Sequence, residues 1–71
     1  MRSLKTLVKY VLKHGVVYFS GSPRISWKEW EALDAAGYKM QSEHGLHEDH
    51  CAYPLNTKAF REKAERELGI K

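Results

Sequence analysis

The chain has 71 residues, 42% of them hydrophobic and 30% charged, with a formal net charge of +3. Its length suits one domain with one small core, and its hydrophobic content argues against a disordered tail. The single cysteine excludes an internal disulfide and no apolar run reaches bilayer-spanning length, so a cytoplasmic protein is expected.

The opening "MRSLKTLVKYVLKHG" is charged at every fourth residue, unlike the unbroken apolar stretch of a secretory signal. It predicts a helix. Leu4, Leu7, Val8, Val11 and Leu12 recur with helical spacing. Ser3 is placed to cap the start and Gly15 to end it. Lys5, Lys9 and Lys13 stack on the face opposite the leucines. His14, in the last turn, suits the negative end of the helix dipole.

"VVYF", 16–19, reads as a short buried strand, and "SGSP" as the turn after it. A second helix follows. Ser26 and Glu29 have capping-box spacing, and Ile25 and Trp30 that of a hydrophobic staple. Trp30 and Leu33 are expected inward, with Lys28, Glu31 and Asp34 toward water. Gly37 closes the helix.

"YKMQSE" and "HCAYPL" predict an antiparallel hairpin with "HGLHED" at its tip. The pattern favours Tyr38 opposite Leu55, Met40 opposite Tyr53 and Ser42 opposite Cys51, all six on one mostly apolar face. Lys39, Gln41 and Glu43 then meet Pro54, Ala52 and His50 on the other. Pro54 suits an edge strand or a strand end. A last helix is expected over Thr57 to Leu68. Asn56 caps it, Leu55 and Phe60 staple it, and Phe60, Ala64 and Leu68 face inward. Gly69 and Ile70 fit a Schellman ending. The expected fold is α+β, in the order α-β-α-β-β-α, with three short strands and the helices packed on one face.

"HGLHEDHC" holds three of the four histidines and the cysteine. A structural zinc needs four converging ligands. In the register above Cys51 turns to the core and His50 away, while His44 and His47 lie at the tip. His44, His47, His50 and Cys51 are therefore metal candidates by composition only, and no metal or other cofactor is expected. His47 beside Glu48 and Asp49 makes a poor acid–base pair, because sequence neighbours on a loop rarely share a substrate site. An inward Cys51 makes a poor nucleophile. No catalytic residue is assigned, and a non-enzymatic protein is expected. The tip has one further property: its histidines charge near pH 6 to 6.5 among Glu43, Glu48 and Asp49.

Charge is unevenly placed. Residues 1–28 contain Arg2, Lys5, Lys9, Lys13, Arg24 and Lys28 and no acid, whereas residues 29–71 carry six bases against nine acids. An uninterrupted basic helix suits phosphate contacts, so these six are the candidate nucleic-acid-binding residues of a small regulatory module. Helix, strand, helix and hairpin together resemble, incompletely, a winged helix–turn–helix with "HGLHED" as the wing tip. No family membership is inferred from it, and if DNA is bound the helix of residues 27–36 is not expected in its groove. The chain departs from the winged pattern in two ways. Only one helix separates the first strand from the wing, and both that helix (Glu29, Glu31, Asp34) and the tip are acidic. The competing expectation is a protein-binding inhibitor or adaptor of a larger enzyme, anchored by Trp27, Tyr10 and Tyr18. A membrane-surface role needs the leucines of the first helix exposed, and they are wanted for the core.

Overall fold

The computed structural model describes residues 2–44 and 50–70. The elements run α1 (Leu4–His14), β1 (Val17–Tyr18), α2 (Trp27–Ala35), β2 (Met40–His44), β3 (His50–Pro54) and α3 (Thr57–Leu68). This is the expected α+β order. The tip residues 45–49, with His47, Glu48 and Asp49, lie outside the described residues.

The helix boundaries follow from local chemistry. Ser3 accepts from the Thr6 N–H at the start of α1, and Gly15, at φ 80°, donates to the Val11 carbonyl at its end. Ser26 and Glu29 form both halves of a capping box on α2. The end of α2 is a Schellman motif. Gly37 takes φ +87°, its N–H reaches the Asp34 carbonyl, and the Tyr38 N–H reaches the Leu33 carbonyl. Asn56 caps α3 through the Ala59 N–H. Gly69 is left-handed at φ 67°, as expected. The N–H groups of Gly69 and Ile70, however, both turn to the Ala64 carbonyl, which departs from the bond pair of a Schellman ending.

The sheet is antiparallel with order β1-β3-β2, so β3 is its centre. Its register corrects the expected one by a single residue. Met40 faces Pro54, Gln41 faces Tyr53, Ser42 faces Ala52 and Glu43 faces Cys51. The cause is the third strand. β1 sets Val17 against Ala52 and Tyr18 against Cys51, and both Val17 and Ala52 are fully buried. The pattern of two strands alone favours the larger Tyr53 as the inward residue. With three strands packed beneath helices, the small Ala52 lets the layers approach. Tyr53 instead lies on the outer face, where its hydroxyl donates to Glu43. Cys51, expected in the core, is half-buried on that same face beside Tyr18. Tyr38 precedes the strand and is buried edge-on against Phe60, with ring centroids 5.2 Å apart. Leu55, expected inward as a staple, is 65% exposed.

One core collects Leu7, Val8 and Val11 of α1, Val17 and Ala52 of the sheet, Leu33 of α2, and Phe60 and Ala64 of α3. Burying Leu7, Val8 and Val11 commits the apolar face of α1 to the interior, and the lysine face is left outside. Among the described residues no helix is long and apolar enough to cross a membrane.

Candidate nucleic-acid interface

The lysine stripe survives folding intact. Lys5, Lys9 and Lys13 are all exposed on α1, a helix without a single acid. A rise of 1.5 Å per residue puts successive lysines about 6 Å apart along the axis. Among the described residues the ion pairs are Arg2–Glu29, Lys39–Asp34 and Lys63–Glu67, so none of the three lysines is neutralised.

The stripe does not stand alone. Lys9 and Lys13 border an open groove of about 420 Å³ between α1 and α3, lined also by Leu12, Arg61, Glu65 and Ile70. Leu12 is half-buried and Ile70 buried, while Arg61 and Glu65 are exposed. Arg61 was not among the sequence candidates. In sequence it reads as half of a solvated Arg61–Glu65 pair four residues apart on an amphipathic helix. Only the packing of α3 beside α1 brings it to the lysines.

The other flank of α1 holds a different cluster. Arg2 donates through Nε to Glu29 Oε2 at 2.9 Å and through Nη2 to Glu29 Oε1 at 3.1 Å. Nη2 also reaches the Arg24 carbonyl at 2.8 Å. The guanidinium carbon lies 4.3 Å from the centroid of the Tyr10 ring, and the Tyr10 hydroxyl accepts the Arg24 N–H. Glu29 is 6% exposed and accepts the Ser26 N–H as well. The Arg2 guanidinium, aided by the backbone N–H groups of Ser26 and Arg2, holds the Glu29 carboxyl at about 2 although burial opposes it. Two readings change. Arg2 is already engaged with Glu29. Glu29, counted among the acids that α2 would turn toward a ligand, is buried and neutralised. Arg24 and Lys28 are exposed but lie with this second cluster or beyond it on α2, apart from the α1–α3 groove.

Of the three aromatic anchors, Tyr10 is engaged in this cluster and also meets His14 edge-on at 4.7 Å. Tyr18 is half-buried on the outer sheet face. Trp27 is 53% exposed, with one face stacked on Phe19 at 3.9 Å and 6° between planes. His50 packs edge-on against both rings. His50 thus lies on the helix side of the sheet and its neighbour Cys51 on the outer side, the reverse of the expected assignment. The two still diverge, and the backbone of His44 pairs with that of His50 across the hairpin. His47 lies outside the described residues.

The fold and this surface define a small α+β protein with a basic helix whose lysines have no ion-pair partner among the described residues, and a groove along its flank. Comparison with known families, with curated proteins and with solved structures finds no match.

Proposed function

We propose that this protein is a small non-enzymatic regulatory module that associates with nucleic acid through Lys5, Lys9 and Lys13, joined by Arg61. The observation that carries this reading is the set of exposed lysines, one helical turn apart, without an acidic partner among the described residues. Phosphates supply the missing partners, and each contact releases condensed counterions. Arg24 and Lys28 add long-range attraction from another face. A cytoplasmic location goes with this reading, since nucleic acid and a reduced Cys51 coexist there. Binding of an oligonucleotide tests it. Four phosphate contacts imply a slope of about −3 for log affinity against log salt. A slope near zero, or no binding at low salt, refutes it.

A second reading, a protein-binding inhibitor or adaptor, rests on Trp27. An indole held rigid on Phe19 and 53% exposed has the form of an interface anchor. It requires that Trp27→Ala abolish capture of a protein partner and that affinity for nucleic acid be negligible at physiological salt.

A further inference from the structure

We propose that the groove between α1 and α3 receives an unstacked nucleobase, so that single-stranded nucleic acid is the ligand of the lysine stripe. This inference rests on the phosphate-contact reading above and adds the form of the ligand. A convex row of lysines would serve duplex and single strand alike. The groove makes the difference. Its floor is Leu12 and Ile70, its rim Lys9, Lys13 and Arg61, and its volume about 420 Å³. That volume lies in the lower part of the range for small-molecule sites, suited to one nucleoside-sized group. In a duplex the bases stay stacked and only phosphates reach the rim. In a single strand a base can turn out, and protein side chains take over its stacking.

Each lining residue has a use for a base. Leu12 and Ile70 offer an aliphatic surface to one face of the ring. Arg61 offers a guanidinium plane, which stacks on nucleobases where an ammonium does not. Lys9 and Lys13 remain on the rim for the flanking phosphates. Glu65 adds a carboxylate to the lining that accepts from the exocyclic amines of cytosine, adenine and guanine.

The test uses the whole chain and three fluorescein-labelled DNA probes of equal length: a mixed-sequence single strand, the same strand with abasic sites, and the annealed duplex. The abasic strand keeps the phosphates and removes the bases. Stacking one base on an aromatic ring contributes roughly five- to a hundredfold in affinity, and a surface of Leu12, Ile70 and the Arg61 guanidinium takes the lower end, about fivefold. The normal strand is therefore expected to bind about fivefold tighter than the abasic strand, and no more weakly than the duplex despite its lower charge density. Arg61→Lys, which keeps the charge and loses the plane, should bring the affinity of the normal strand down toward that of the abasic strand. Equal affinity for normal and abasic strands overturns the inference while leaving the phosphate reading standing. That comparison needs only the parent protein, so it decides even if Arg61→Lys does not fold. Failure of all three probes to bind refutes both readings. Binding of dodecanoate with no oligonucleotide bound overturns them in favour of a lipid.

Discussion

Replacing Glu29 by Gln isolates the charge of the Arg2–Glu29 pair. Gln at the third helical position still completes a capping box, so the cap of α2 is kept. What is lost is the ionised partner of Arg2, joined to it at 2.9 and 3.1 Å. The carboxyl titrates at about 2 against an ordinary 4.5. At 1.36 kcal/mol per pH unit, that gap ties about 3 kcal/mol of stability to ionised Glu29. The folded pKa is depressed, so this stability is complete above about pH 4.5 and is lost as pH falls toward 2. Arg2 keeps access to water in the variant, and the expected loss at pH 7 is about 2 to 3 kcal/mol. For a domain of this size that lowers Tm by roughly 10–20 °C. Thermal unfolding followed by circular dichroism at pH 7, 4 and 2 measures it. The gap between parent and Glu29→Gln should be full at pH 7 and nearly closed at pH 2. A variant melting within about 2 °C of the parent at pH 7, or a gap independent of pH, refutes the reasoning.

Gly37→Ala places a side chain at φ +87°, where its Cβ would also lie 3.3 Å from the Lys63 side chain, so it should destabilise by about 1 kcal/mol or more in urea unfolding. Gly21→Ala, whose Cβ meets Tyr18 at an ordinary 3.6 Å, should change stability by less than about 0.5 kcal/mol. The register is tested by Ala52→Leu and Tyr53→Leu. Overpacking at the fully buried Ala52 should cost about 1–3 kcal/mol, and the outer-face Tyr53 clearly less. The opposite order would restore the register with Met40 facing Tyr53.

Helix grammar was legible in this sequence because it is local. Ser3, Ser26, Asn56, Gly37 and the leucine spacing of α1 each act within a few residues, and each acts as expected. The hairpin failed by one residue because its inner face is chosen by a partner 35 positions away, where Val17 meets Ala52. A pattern match between β2 and β3 has no access to that constraint. The basic face was legible at Lys5, Lys9 and Lys13, where it too is local. The pairing of Arg2 with Glu29, 27 residues distant, and the placement of Arg61 beside Lys9 and Lys13 are not local and were not legible. Glu29 carried a visible signal for the capping box. Nothing in the spacing of Arg2 and Glu29 announced the ion pair, because tertiary packing alone brings the ends of α1 and α2 together.

The central claim is that the stripe on α1 contacts phosphates, and a salt titration of the Lys5→Gln, Lys9→Gln, Lys13→Gln triple variant tests it most directly. All three side chains are exposed, so the fold should survive, as a melting curve will verify. Each lost contact removes about 0.7 to 0.9 from the log–log slope of oligonucleotide affinity against salt. The triple variant should therefore be flatter than the parent by about 2 to 3 units and weaker at low salt. A folded triple variant that binds the oligonucleotide as tightly as the parent at every salt concentration would contradict the claim.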